Sequence, residues 1–373
     1  MRAARCYGKK DIRLEDVPVP EVGPSECLVE VEWCGVCGSD LHEYLHGSLV
    51  ASIGVEGSVV MGHEFCGRIK VAPEGSKLRV GQAVMVDPHY YCGKCPDCVS
   101  GNDHLCGQLA FLGLGVKGGG GLSEFVAVEE SHCYPLPNEV SLEFAAVIEP
   151  LVVCYHAMKA SGMALRGKDV LVVGGGPIGI AMVSMLRTQG VKSILLSEPT
   201  AKRMQQAKGL VDRIIDPRKE KVGDACRDLT NGRGVDVAFD CAGVQPGLEA
   251  ALDALKPAGV FIGVAIWDTP ISIPFMQFFL KEIKFSSSCC YNANDFRETM
   301  ELVANGMLRM ISPTSYMSTL LNDSTKGQVK NYEQMVTTRI ALEDTVRGGF
   351  EELINNKDNH VKILISPKRT SNE

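Results

Sequence analysis

What the 373-residue chain lacks narrows its function first. No apolar run approaches the ~18 residues that a membrane-spanning helix needs, so no membrane partner is expected. There is no basic excess: 38 lysines and arginines stand against 45 aspartates and glutamates, a net charge of −7. A chain of that sign is poorly suited to nucleic acid or an anionic membrane surface. The opening stretch MRAARCYGKKDIRLEDV has basic residues but no apolar core behind them, which reads against a secretory signal. The ending SPKRTSNE carries no targeting or prenylation pattern. There is no internal repeat. Low hydrophobicity is also missing: 45% of residues are hydrophobic and 22% charged, so global disorder is excluded.

At roughly 150 residues per domain the length predicts two domains. Fifteen cysteines, an odd number with no export signal, make a disulfide scaffold a poor reading. They predict a reducing compartment, the cytoplasm, with metal-binding or catalytic roles for some of the thiols.

The first ~150 residues read as short strands separated by Gly and Pro turns, with little helical periodicity before Leu142. A glycine run at Gly118 to Gly121 predicts a tight loop. From about Gly167 the character changes. The apolar run DVLVV is followed by PIGIAMVSMLRTQG with helical spacing, then by SILLS, TAKRMQQAKG, a short strand at 213–215, a helix near 224–229, VDVAFD, PGLEAALDAL and VFIGVA. Alternating strands and helices predict a doubly wound parallel sheet. After about Ser288 come two amphipathic helices, DFRETMELVANG and GGFEELINN, and a last strand, VKILI. Between these helices, residues 312–331 are polar and read as a surface excursion. The expected class is therefore α/β. A β-rich domain spans residues 1–155, a nucleotide-binding domain 156–290, and residues 291–373 return to the first.

Gly174, Gly176 and Gly179 form GxGxxG in GGGPIG, between an apolar strand and a helix that includes Ile178. That context predicts a dinucleotide site with the pyrophosphate on the helix N-terminus. Glu198 falls at the end of the next strand, 19 residues after Gly179. A carboxylate there accepts from ribose hydroxyls and repels a 2′-phosphate, so NAD is expected over NADP. Lys202 and Arg203 follow closely enough to soften that preference.

Cys92, Cys95, Cys98 and Cys106 lie within residues 89–110 at CxxCxxCx7C spacing. Four thiolates so close in sequence converge on one tetrahedral ion and leave no open position, the pattern of a structural site. Zinc is the default ion. An iron–sulfur cluster is the rival, although the gap of seven residues and the lack of a second cluster run fit it poorly. Cys37 in CGVCGSDLH and His63-Glu64 in MGHEFCG offer a second metal site, an open catalytic one. On spacing alone, Cys37 and His63 read as readily as core residues.

The set CGSDLHEY, GHEFCG, the four-Cys lobe, IEPLVVCYHA and VLVVGGGPIG occurs in this order over most of the chain. It resembles the zinc-dependent medium-chain alcohol and polyol dehydrogenases. CGSDLHEYL, GGGGLSEF and LINNKDNHVKILI point to the butanediol branch, while sorbitol dehydrogenases share most of the rest. The resemblance implies a GroES-like catalytic domain joined to a Rossmann domain. It implies two zinc ions per subunit, one catalytic and one structural. Cys37, His63 and Glu149 resemble ligands of the catalytic zinc, with Glu64 as the acid beside it or an occasional ligand. Asp40 resembles the partner that orients His63, and Ser39 and His42 the two ends of a proton relay. Arg203 resembles a ribose contact, Lys362 a pyrophosphate contact, and 262–264, ending at Val264, the segment that meets the nicotinamide amide.

The expected reaction is reversible hydride transfer from a secondary alcohol or vicinal diol, of the 2,3-butanediol and acetoin type, to NAD. Sorbitol-type polyols and threonine are the alternative substrates. A non-catalytic NAD-binding sensor or scaffold is the alternative class. Such enzymes are usually homodimers or homotetramers, which predicts joining through an edge strand at 260–266. The resemblance also departs from the branch at residues 47–60 and 312–331. Cys66, Cys154, Cys241 and the pair Cys289-Cys290 read as small buried hydrophobes.

Overall fold

The computed structural model describes residues 1–47, 58–114, 119–267, 269–308 and 335–368. The segment 48–57, Gly118 and the polar stretch 312–331, all singled out above, lie outside them. The described residues form two compact units, drawn from 1–149, 292–296 and 335–368 in the first, and from 150–291 and 297–308 in the second.

The first unit is built on the ten-residue strand Glu26–Gly35. Its early half pairs antiparallel with Phe125–Glu129, residues 28–35 with Glu64–Val71, and its last residues with Lys362–Ser366. Ala83–Val86, Cys133–Pro135 and Val336–Ala341 complete the sheet. Period-two alternation fills the core: Val29, Val31, Phe65, Ile69, Val84, Val86, Val126, Val128, Ile363 and Ile365 are all buried in one cluster. Arg2–Gly8, Asp11–Asp16 and Val59–Val60 make a smaller antiparallel sheet.

The second unit is a six-stranded parallel sheet. Its spatial order is Arg213–Ile215, Ser193–Ser197, Asp169–Val173, Val235–Asp240, Leu255–Gly263 and Lys284–Ser287. In chain order that is 3-2-1-4-5-6, the dinucleotide-binding arrangement. DVLVV, SILLS and VDVAFD are buried at every residue, as strands covered on both faces must be.

Three expectations are corrected. A nine-residue helix, Gly38–His46, forms well before Leu142. The segment expected at the sheet edge is interior: Leu255–Gly263 has neighbours on both sides, and the edge is the short, mostly polar strand Lys284–Ser287. The GGFEELINN helix begins as a π-helix, Thr345–Phe350, and becomes α-helical only at Glu351–Asn355.

Candidate metal centres and dinucleotide site

In the first unit, strand pairing assembles the site. Gly35 lies opposite Glu64 and Leu364 lies opposite Gly35. Three neighbouring strands thus deliver their ends to one place: Cys37 two residues past Gly35, His63 one before Glu64, and Lys362 at the start of its strand. The donor atoms of Cys37, His63 and Glu64 all lie within 4.8 Å of one another. Gly35 has no side chain because none fits. A Cβ there would stand 2.2 Å from Glu64 Oε2.

Cys37 caps the Gly38–His46 helix, and its N–H donates to Asp40 Oδ2 at 2.9 Å. The other Asp40 oxygen faces His63 Nδ1 at 3.5 Å, both groups buried. Ser39 Oγ lies 3.4 Å from His63 Nε2. Burial disfavours a charged His63 ring, yet Asp40 and Cys37 outweigh it and hold the imidazole well above its usual value. His42 follows Ser39 at i+3 on the same helix face, its ring 4.7 Å from that of His46. A thiol, an imidazole and a carboxylate converging in a buried site form a donor set that fits a zinc ion.

Glu149 is buried in the first turn of the helix Ile148–Ala160. It is not in the 4.8 Å group; Glu64 is the carboxylate drawn into it. The charge of Glu149 is felt by Lys362 and Asp87.

Lys362 was expected to face a pyrophosphate. Its three N–H bonds instead go to Glu64 Oε1 (2.7 Å), Glu64 Oε2 (2.6 Å) and the Val36 carbonyl (3.2 Å). A phosphate contact requires one of these to be released. Burial works against the ammonium charge, but Glu64, Cys37 and Glu149 more than offset it and hold the group above its ordinary value. Sequence reasoning missed this pair, since 298 residues separate its members.

The four-Cys lobe closes on itself. Sγ–Sγ separations are 3.4 Å for Cys95–Cys98, 3.9 Å for Cys92–Cys98 and 3.9 Å for Cys95–Cys106. A tetrahedron with Zn–S of about 2.3 Å has edges of about 3.8 Å, so the sulfurs already stand at zinc-ligand spacing. The N–H groups of Cys92, Cys95, Cys98 and Gln108 donate to these sulfurs, and backbone N–H donors pull the Cys92 thiol down to about 6.

In the second unit, Gly174 ends the first strand at φ +94°, a conformation glycine adopts freely. A Cβ at Gly179 would stand 1.8 Å from the Gly174 carbonyl oxygen, so helix and turn meet only if that residue is glycine. At Gly176 an added Cβ would meet only Arg203 Nη1, at 3.8 Å, and the approach is open. The helix Pro177–Thr188 opens there, with Ile178 half-buried in its first turn. Buried Glu198 accepts from the Gly175 N–H at 2.6 Å and the Thr200 N–H at 2.7 Å, which ties its carboxylate to the glycine turn. The Val264 N–H donates to the Asp240 carbonyl at 2.9 Å, just past the end of its strand.

A doubly wound sheet with a glycine turn, in one chain with a unit that carries a four-thiol set and a Cys-His-Glu set, defines a metal-dependent dehydrogenase. Residues 177–305 match the zinc-binding dehydrogenase family, and residues 23–138 match the alcohol dehydrogenase GroES-like domain. The chain is 37% identical to (R,R)-butanediol dehydrogenase of Neisseria gonorrhoeae, with 98% of this chain and 99% of that one covered. It is 35% identical to (R,R)-butanediol dehydrogenase of Saccharomyces cerevisiae, with 98% of each covered. Among solved structures, 2R,3R-butanediol dehydrogenase from Bacillus subtilis superposes with a TM-score of 0.84 at 32% identity, covering 98% of this chain and 99% of that one. The chain belongs to the zinc-binding alcohol dehydrogenase family and is an oxidoreductase.

Proposed function

We propose that this dehydrogenase interconverts a vicinal diol or secondary alcohol of the 2,3-butanediol type and its ketone, with NAD as hydride acceptor. The observation that carries the reading is the convergence of Cys37, His63 and Glu64, with Asp40 behind His63. These residues would hold the catalytic zinc, with Glu149 close enough to act on their surroundings. Zinc bound there would polarise the substrate oxygen as a Lewis acid and lower the pKa of its hydroxyl. Asp40 fixes the ring of His63. Ser39 takes the hydroxyl proton, and His42, one helical turn on, delivers it toward solvent. Cys92, Cys95, Cys98 and Cys106 would hold a second, structural zinc, which gives two ions per chain.

In the second unit Gly174, Gly176, Ile178 and Gly179 would cradle the pyrophosphate on a helix N-terminus. Glu198 would accept from the adenosine ribose hydroxyls and exclude a 2′-phosphate, with Arg203 beside it. Val264 would line the nicotinamide end. Lys362 acts on the cofactor only if its pairing with Glu64 loosens.

Two copies would join at the edge strand Lys284–Ser287. Beside it, the helix Phe275–Leu280 leaves Phe275, Met276, Phe279 and Leu280 between 61% and 72% exposed. The fifteen free thiols suit a reducing compartment, for which we propose the cytoplasm.

The deciding experiment couples metal content per chain to turnover on 2,3-butanediol stereoisomers, sorbitol and threonine with NAD and NADP. Two zincs and preferred turnover of a butanediol with NAD are expected. Preferred sorbitol or threonine turnover overturns the substrate, and one zinc with no turnover overturns the catalytic site.

A further inference from the structure

The edge strand Lys284–Ser287 is followed at once by two adjacent cysteines. They are not the buried hydrophobes that the sequence suggests: Cys289 is exposed and Cys290 half-buried. Successive residues of an extended chain point to opposite faces. Here Cys290 takes φ +43°, a left-handed conformation that side chains other than glycine disfavour. The two sulfurs lie 3.4 Å apart. Held strain of this kind gathers at sites with a chemical task.

Their place in the sheet supports such a task. Gly263 is in register with Ser287, and the Ser288 N–H donates to the Gly263 carbonyl at 2.9 Å. The pair therefore stands just past the carboxyl ends of the edge strand Lys284–Ser287 and its neighbour Leu255–Gly263. That is the side of an open parallel sheet where ligands bind. The Gly263-Val264 segment is one hydrogen bond away.

The geometry selects the chemistry. A direct disulfide is disfavoured, because Cα atoms across one trans peptide are about 3.8 Å apart. Ordinary disulfides need about 4.4 Å or more. A bridge through one shared atom makes no such demand. The 3.4 Å separation is also that of Cys95 and Cys98, two ligands of the four-thiol lobe. Among the described residues no third cysteine, histidine or carboxylate joins the pair in a metal-binding group. The site thus offers a two-sulfur chelate, which suits a pyramidal centre that brings its own third substituent.

We propose that Cys289 and Cys290 form a dithiol chelate for trivalent arsenicals at the carboxyl edge of the nucleotide-binding sheet. With an organoarsenic(III) oxide, two As–S bonds form and the arsenic–oxygen bond breaks. The oxygen leaves as water with the two thiol protons, and no atom changes oxidation state. The neighbouring Cys290 thiol pulls Cys289 down to about 6, against desolvation and with help from His156, so a reactive thiolate is present at neutral pH. An arsenical held beside Gly263 and Val264 obstructs the nicotinamide. This last consequence rests on the cofactor placement proposed above.

The test treats the zinc-loaded enzyme with one equivalent of phenylarsine oxide, washes with glutathione to strip single-thiol adducts, and measures native mass and zinc content together. One phenylarsenic adduct per chain is expected, with no zinc lost and with release by 2,3-dimercaptopropanol. The adduct should be absent from Cys289→Ser and from Cys290→Ser, whose circular dichroism and zinc content match the parent. An adduct that persists in both variants, or that forms only as zinc leaves, overturns the proposal. Saturating NADH should slow capture severalfold. Capture that needs both cysteines but ignores NADH supports the dithiol and overturns the placement of the nicotinamide at Val264.

Discussion

Lys362 holds both oxygens of Glu64, at 2.7 and 2.6 Å, with each side chain almost wholly out of water. The pair ties the last strand of the first unit to a carboxylate of the metal-ligand group. Removing one member leaves the other charge buried and uncompensated, which costs about 3–5 kcal/mol. Lys362→Met should therefore lower the unfolding free energy by an amount in that range. Lys362→Met combined with Glu64→Gln should recover part of the loss. A single variant as stable as the parent in urea titration contradicts the buried pairing.

Zinc removal from the four-Cys lobe should separate stability from chemistry. Cys95 contributes its sulfur to the cluster, and its N–H donates to Cys92 Sγ at 3.3 Å. Cys95→Ser should release about one zinc per chain and lower the melting temperature, because metal binding free energy is folding free energy here. The KM for alcohol in the surviving folded fraction should change little. Full zinc content in a soluble variant would refute the lobe as a metal site.

What could be read from sequence was what lies close in the chain. The glycine turn, its strand and its helix occupy 20 consecutive residues, from Asp169 to Thr188, and the four thiols of the lobe fall within 15, from Cys92 to Cys106. Local spacing carries both. The Lys362–Glu64 pair depends on antiparallel register among three strands drawn from both ends of the chain, which no local pattern encodes. The edge strand was missed for another reason. KFSS is four residues with only Phe285 apolar, while the neighbouring VFIG run is more hydrophobic because it is interior. The helix after Cys37 was hidden by its composition: three of its nine residues, Gly38, Ser39 and Asp40, are weak helix formers that suit a first turn.

Gly179 tests the packing of the glycine turn. An added methyl group would stand 1.8 Å from the Gly174 carbonyl, a fixed backbone atom with no room to yield. Overpacking of this kind costs about 1–3 kcal/mol or more. Gly179→Ala should lower the melting temperature and weaken NADH binding together, as followed by nucleotide fluorescence. Gly176→Ala, which meets only the end of Arg203, should keep the parent's stability and lose affinity alone. Equal stability losses for the two variants would show that the two glycines do not have these distinct roles.

Glu198 joins two tasks in one carboxylate. Its oxygens accept from the Gly175 and Thr200 N–H groups, and the same acid is proposed to face the ribose. Glu198→Ala confounds these tasks, since it leaves two backbone donors unpaired at about 1–3 kcal/mol each. Glu198→Gln keeps an acceptor oxygen and removes the charge. If the charge excludes a 2′-phosphate, Glu198→Gln should narrow the NAD-to-NADP ratio of kcat/KM by about tenfold, equivalent to about 1.4 kcal/mol. Its melting temperature should stay closer to the parent than that of Glu198→Ala. An unchanged cofactor ratio in both variants would assign Glu198 to holding the glycine turn and leave nucleotide choice to other residues.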